Sequence, residues 1–68
     1  MPVGTVKWFD ASRGYGYITP AAGEDVFVDA SALRGVEYDE LSQGQRVEFE
    51  IVPGPEGPRA DNVRPIRS

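Results

Sequence analysis

The 68-residue sequence contains neither cysteine nor histidine, and these two absences exclude several kinds of site. Without cysteine the chain has no disulfide and no thiolate metal ligand, which is consistent with a reducing cytoplasm. Without histidine as well, structural zinc sites and imidazole acid–base catalysis are excluded. We therefore expect no metal, no cofactor and no enzyme activity, since no Ser, Thr or Asp stands in a catalytic motif.

Long apolar segments are also missing from the chain. No segment approaches the roughly 20 apolar residues of a membrane-spanning helix, and the N-terminal segment MPVGTVKWFD lacks the basic and apolar regions of a signal peptide. No window has the i, i+3, i+4, i+7 spacing of an amphipathic helix. We therefore expect one small cytoplasmic domain, residues 1–68, with no membrane partner.

The net charge of −4 argues at first against a nucleic-acid partner. The charges are unevenly distributed, however. Residues 24–50 contain eight acidic and two basic residues, whereas the segments before and after each have one more basic than acidic residue. The two ends of the chain could share a neutral-to-basic face, so the net charge alone does not decide the partner.

Short segments rich in Val, Ile, Phe, Tyr and Thr alternate with Gly and Pro turn signals. In residues 46–51, Val47, Phe49 and Ile51 point to one side and charged residues to the other, as in a half-buried strand. Strands are predicted at about 3–10, 14–20, 25–30, 45–53 and 58–66. Because closure removes sheet edges, these strands predict an all-β, five-stranded antiparallel Greek-key barrel. We expect a monomer; the alternative is a dimer that pairs through an exposed edge after the fourth strand.

Ten apolar residues are enough for the interior of so small a barrel: Val6, Ile18, Val26, Val28, Leu33, Leu41, Val47, Phe49, Ile51 and Val63. Five further rings would overfill it, so we expect an exposed binding surface rather than extra core from Trp8, Phe9, Tyr15, Tyr17 and Phe27. Strict strand alternation would place the Trp8 side chain on the other face of the strand from Lys7 and Phe9. We therefore predict a β-bulge near Trp8 or Phe9.

Exposed rings beside Lys7, Arg13 and Arg59 suit a single-stranded nucleic acid. Each base offers a face that stacks on a ring, worth roughly 1–3 kcal/mol per base, and basic side chains attract the phosphates. A duplex hides its base faces, so unpaired strands should be preferred. The alternative function is a protein-interaction module that uses the same rings, with acidic residues 37–50 as a second surface.

Three segments closely resemble the bacterial cold-shock proteins: KWF at 7–9, RGYGYI at 13–18 and DVFV at 25–28. The resemblance continues through 47–52 and 60–63 and covers essentially the whole chain. A string similar to RGYGY also occurs in the RNA-recognition fold, but that fold needs two helices packed on its sheet. The ordered set of segments therefore favours the cold-shock family.

This resemblance implies a barrel of the oligonucleotide-binding (OB) class that binds single-stranded RNA and DNA. It also implies a protein that melts or prevents RNA secondary structure without ATP, as an RNA chaperone or a transcription antiterminator. The binding residues carried over from the family are Lys7, Trp8, Phe9, Arg13, Tyr15, Tyr17, Asp25, Phe27, Tyr38 and Arg59.

The chain departs from the family where Asp29 and Ala30 replace the usual His-Phe pair. Both changes remove a stacking partner, and Asp29 adds a negative charge near the phosphates. The loss of one stacked base predicts a roughly 5- to 150-fold weaker complex. Asp29 is also a candidate N-cap, as is Ser31, for a helical turn at 31–34, and Ala30 could fit a tight site. Asp25 is either a turn-forming carboxylate or an acceptor for a base edge.

Overall fold

Five segments with alternating apolar residues form five strands in the computed structural model, which describes residues 1–35 and 40–66. The strands are β1 (Val3–Asp10), β2 (Tyr15–Pro20), β3 (Val26–Asp29), β4 (Arg46–Gly54) and β5 (Gly57–Pro65). Each predicted strand agrees with the observed bounds to within one residue. Within the described residues, no helix is long and apolar enough to cross a membrane.

The strands close into a barrel in the order β1-β2-β3-β5-β4, which confirms the predicted all-β, five-stranded barrel. Four of the neighbouring pairs are antiparallel, and the β3–β5 pair is parallel. A closed ring with an odd number of strands cannot alternate direction throughout, so one parallel pair is required. This parallel seam joins Phe27 to Arg59.

The interior contains nine of the ten predicted core residues, together with Ala32 and Ala60. The prediction for Ile51 is wrong, since 48% of its surface is exposed. β4 pairs with β1 only from Arg46 to Glu48, and its pairing from Glu50 to Gly54 is with β5. Beyond Glu48, β4 therefore has no β1 partner and pairs with β5 alone. The register of β4 with β5 also shifts between Glu48 and Glu50, and Ile51, just after this shift, lies on the exposed side of the strand.

The predicted bulge on β1 is confirmed. The pairing register with β2 shifts between Val6 and Trp8, so Lys7 is the extra residue. Strand alternation changes phase at this point, and both Lys7 and Trp8 are exposed. The bulge thus turns the Trp8 ring toward solvent.

The helical turn after β3 begins one residue earlier than predicted, as a 3-10 turn at Ala30–Ala32. Asp29 is its N-cap, because the Asp29 carboxylate accepts a hydrogen bond from the Ser31 backbone N–H. Of the two candidate caps, the structure selects Asp29. Leu41, after the longest connection, is buried as predicted.

Candidate nucleic-acid interface

Four aromatic side chains contact one another on the outer face of β1, β2 and β3. Tyr17 lies opposite Phe27 on β3 and opposite Trp8 on β1. The ring centroids of Tyr15 and Phe27 are 5.8 Å apart in a stacked arrangement, and Trp8 contacts the two tyrosine rings at 5.7 and 5.5 Å. We call Trp8, Tyr15, Tyr17 and Phe27 the ring cluster. Trp8 is exposed and the other three rings are half-buried, so the cluster presents aromatic surface to solvent.

Gly16, between the two tyrosines, allows β1 and β2 to approach closely. A Cβ atom at this position would meet the Trp8 carbonyl oxygen and lie 2.7 Å from the Phe9 Cα atom, which is too close for any other residue type. Gly16 is buried, whereas Tyr15 and Tyr17 on either side of it face outward. The glycine therefore brings the Trp8 ring within reach of both tyrosine rings.

Phe9 does not lie where the sequence predicts. Its side chain is half-buried and packs against the hydrophobic core, whereas an exposed ring was expected. The bulge at Lys7 accounts for the difference, because it turns Trp8 outward and its neighbour Phe9 toward the buried Gly16. The outward placement of Phe9 is thus wrong, and its contribution to binding stays a prediction.

Lys7 and Asp25, both predicted binding residues, contact each other. The Lys7 Nζ atom is 2.9 Å from Asp25 Oδ2, and the Thr19 hydroxyl donates to Asp25 Oδ1 at 3.0 Å. The hydrogen bond from Lys7, and after it the one from Thr19, lowers the pKa of Asp25 below its usual value. Asp25 is thus an ion-pair partner on the outer face. The sequence suggested a turn-forming carboxylate or an acceptor for a base edge, and neither included this ion pair.

Asp29 and Arg59 form a second ion pair beside the ring cluster. The Arg59 Nη2 atom is 2.6 Å from Asp29 Oδ2, and the Arg59 guanidinium carbon lies 5.2 Å from the centre of the Phe27 ring. Asp29 Oδ1 accepts from the Ser31 hydroxyl at 2.5 Å and from its N–H at 3.0 Å. The Ser31 hydroxyl and N–H, with a further contribution from Arg59, lower the pKa of Asp29.

Arg13 is placed by the turn between β1 and β2. Asp10 accepts hydrogen bonds from the Ser12 hydroxyl at 2.7 Å and from the Arg13 N–H at 3.2 Å, and these bonds lower the pKa of Asp10. The Arg13 Nε atom lies 3.5 Å from Asp10 Oδ2, and Arg13 Nη1 lies 3.3 Å from the Tyr15 hydroxyl. The turn thus holds Arg13 at the edge of the ring cluster.

The three basic side chains of this face are all paired with carboxylates, at 2.9, 3.5 and 2.6 Å. All three pairs are partly exposed to solvent, and water screens ion pairs of this kind so that they contribute little to stability. A phosphate can therefore compete for the basic groups. In the absence of a ligand, however, the face presents little net positive charge.

The structure brings together nearly all of the predicted binding residues that it describes. Lys7, Arg13, Asp25 and Arg59 surround the ring cluster, Phe9 lies beneath it, and Tyr38 is outside the described residues. Two residues that hold these side chains in place were not identified from the sequence: Asp10, which pairs with Arg13, and Thr19, which donates to Asp25. Thr19 had a usable signal, since it is two residues after Tyr17 on β2 and so shares its outward face.

No group of three or more acidic side chains in residues 1–35 and 40–66 is positioned to hold a metal ion. The interface of aromatic and basic groups is suited instead to flat, anionic ligands. Nucleobases stack on aromatic rings, and basic side chains at the edge of a stack bind phosphates.

Comparison with known proteins identifies the family. Residues 3–66 match the family model described as the 'Cold-shock' DNA-binding domain. The cold shock-like protein CspLB of Listeria monocytogenes is 51% identical over 93% of this chain and 96% of its own length. CspC of Escherichia coli is 55% identical over 93% of each chain, and CspB of Yersinia pestis is 56% identical over 88% of this chain and 87% of its own. The barrel, the ring cluster and these matches together show that the chain belongs to the cold-shock domain family of nucleic-acid-binding proteins.

Proposed function

We propose that this protein binds single-stranded RNA and DNA in the cytoplasm as a monomeric RNA chaperone or transcription antiterminator, without a cofactor and without enzymatic activity. The supporting observation is the contact among four outward-facing rings on adjacent strands. Base–ring stacking contributes roughly 1–3 kcal/mol per base and tolerates different sequences. Since paired bases hide their faces, binding favours unpaired strands and opposes RNA secondary structure.

The position of each side chain on the outer face suggests its role in binding. The ring cluster stacks the bases, and Lys7 and Arg13 bind phosphates by exchanging their carboxylate partners. Arg59 is available to a phosphate when its pair with Asp29 opens. Phe9, Asp25 and Tyr38 are included in the proposed binding set on the family resemblance.

We also propose that affinity is lower than in relatives that carry the His-Phe pair. Ala30 offers no ring for stacking, and Asp29 is a carboxylate next to Arg59 and Phe27. The loss of one stacked base corresponds to a roughly 5- to 150-fold weaker complex.

An RNA hairpin with a fluorophore and a quencher at its ends tests this function. We expect the protein to open the hairpin without ATP, at the concentrations that saturate a single strand of the same sequence. Tyr17→Ala should reduce both activities, whereas Glu48→Gln, on β4, should change neither. Binding to the single strand without hairpin opening would refute the chaperone role. No binding to either RNA would favour the protein-interaction alternative.

A further inference from the structure

The Arg59 side chain covers part of the surface that a base would use. Arg59 lies next to Phe27 at the parallel seam between β3 and β5. Its guanidinium carbon is 5.2 Å from the centre of the Phe27 ring, within the roughly 6 Å of a cation–π contact. A base can therefore stack fully on Phe27 only after the guanidinium has moved.

Contacts on two further sides hold Arg59 in this position. Asp29 Oδ2 pairs with Arg59 Nη2 at 2.6 Å, while its other oxygen is fixed by Ser31. A Cβ atom at Gly54 would lie within 2.6 Å of the Arg59 Cγ atom, so the glycine leaves room for the aliphatic part of Arg59 to lie against the hairpin. Asp29 is therefore a positioning residue for Arg59.

Arg59 also lies between two surface grooves. The first, of about 400 Å³, is lined by Tyr17 and Phe27 of the ring cluster. The second, of about 260 Å³, is lined by Asp29, Ser31 and Val52. Arg59 contributes to the walls of both grooves, so a strand running from the first into the second has to pass its side chain.

We propose that the Asp29–Arg59 pair is a barrier that ends the path of the bound strand at Phe27. This inference rests on the proposed binding of single strands. While the pair is closed, the strand occupies the first groove and the exposed rings. When the pair opens, Phe27 is uncovered, the second groove becomes continuous with the first, and Arg59 is released to bind a phosphate. The barrier therefore sets the number of nucleotides bound, in addition to the affinity.

The test measures affinity against strand length. Dissociation constants are measured by fluorescence anisotropy for labelled oligothymidylates of about 3 to about 10 nucleotides, within the range of lengths that OB folds bind. Asp29→Asn keeps an oxygen for the Ser31 cap but removes the charge that holds Arg59. We expect the length at which affinity stops rising to increase by about one to two nucleotides. The longest strands should bind about 5- to 150-fold more tightly, as expected for one additional stacked base.

Arg59→Gln supplies an independent variant, because it removes the barrier and leaves Asp29 and its cap in place. It should also lengthen the bound strand, and adding Asp29→Asn to it should lengthen the strand no further. Glu48→Gln removes a carboxylate elsewhere and should leave the length unchanged. Circular dichroism and urea denaturation of each variant establish that it is folded.

The outcomes separate the barrier from simple charge repulsion. Repulsion by Asp29 predicts that Asp29→Asn tightens binding about equally at every length, and more strongly in the Arg59→Gln background, where the carboxylate has lost its partner. That result would overturn the barrier while leaving the proposed function intact. A lack of binding by the wild type and all variants would overturn the proposed function itself.

Discussion

Asp29 connects local structure to the binding surface more directly than any other residue on this face. One carboxylate oxygen caps the 3-10 turn through Ser31, and the other holds Arg59. Helix caps contribute about 1 kcal/mol, and partly exposed ion pairs about 0–1 kcal/mol. A residue that removes stacking surface from the interface therefore also stabilises the end of β3.

We expect Asp29→Ala to lower the free energy of unfolding at neutral pH by about 1–2 kcal/mol, because it removes both the cap and the pair. The pKa of Asp29 is lowered in the folded state, chiefly by the Ser31 hydroxyl, so the unfolded state binds more protons at acidic pH. The stabilisation is complete above the unfolded value of roughly 4 and is lost as pH falls through the folded pKa.

Urea denaturation at several pH values measures this effect. The difference in stability between wild type and Asp29→Ala should narrow from about pH 5 to about pH 2, whereas Glu48→Gln serves as a control for the loss of a carboxylate outside this cluster. A difference that stayed constant over this range would show that the Asp29 carboxylate is not responsible for the stabilisation.

Restoring the His-Phe pair that Asp29 and Ala30 replace should tighten binding. The double variant Asp29→His, Ala30→Phe supplies two stacking groups, and each additional stacked base improves the dissociation constant by roughly 5- to 150-fold. Anisotropy with a pyrimidine-rich oligonucleotide measures the gain. Ala30→Phe alone leaves the Asp29–Arg59 pair in place and separates the contribution of the ring from that of the charge. Unchanged affinity in the double variant would refute the proposed cause of weakened binding.

At the scale of the strands, the bulge at Lys7 gives two adjacent rings different environments. Trp8 is exposed and contacts Tyr15 and Tyr17, whereas Phe9 packs against the core. Neighbouring residues of a regular strand also face opposite sides. Without the extra residue, however, Phe9 would face solvent and Trp8 would face the core. The single inserted residue therefore determines which ring can contact a ligand.

This difference predicts that the Trp8 alanine variant loses mainly binding affinity and the Phe9 alanine variant mainly stability. Trp8→Ala should weaken oligonucleotide binding by about 5- to 150-fold, the value of one stacked base, with little change in stability. Phe9→Ala should destabilise the fold by about 1–3 kcal/mol, less than the 3–5 kcal/mol of a fully buried phenylalanine. Anisotropy of a labelled oligonucleotide and denaturation followed by circular dichroism measure both effects without the tryptophan signal. A larger stability loss in Trp8→Ala than in Phe9→Ala would contradict the observed orientation, in which Phe9 faces the core and Trp8 faces solvent.

At the scale of the whole molecule, most of the barrel was predictable from the alternation of apolar residues, which follows directly from strand geometry. Ile51 has the same pattern as Val47 and Phe49, but its exposure depends on how far β4 is paired with β1, which is a property of a distant segment. The ring cluster was predictable because the barrel interior has limited volume. The Asp29–Arg59 ion pair was not, since it joins β3 and β5, which become neighbours only when the barrel closes.

The paired charges predict a weak salt dependence of binding. For single strands, the logarithm of the association constant falls by about 0.7 per logarithmic unit of salt for each phosphate neutralised. Three basic side chains surround the ring cluster, each already paired with a carboxylate, so we expect a slope smaller in magnitude than about 2. Anisotropy titrations over a range of salt concentrations measure it. A slope steeper than about 3 would show that phosphates contact basic residues outside this face.

If the ring cluster receives unpaired bases, the fluorescence of Trp8, the single tryptophan of the chain, changes when a single strand binds. The decisive measurement is a titration at low salt with a pyrimidine-rich single strand and with the same sequence in a duplex. We predict saturable quenching by the single strand, and quenching by the duplex only at concentrations at least about tenfold higher, since paired bases cannot stack on the rings. Equal quenching by both, or no response to the single strand, would show that the ring cluster does not select unpaired bases.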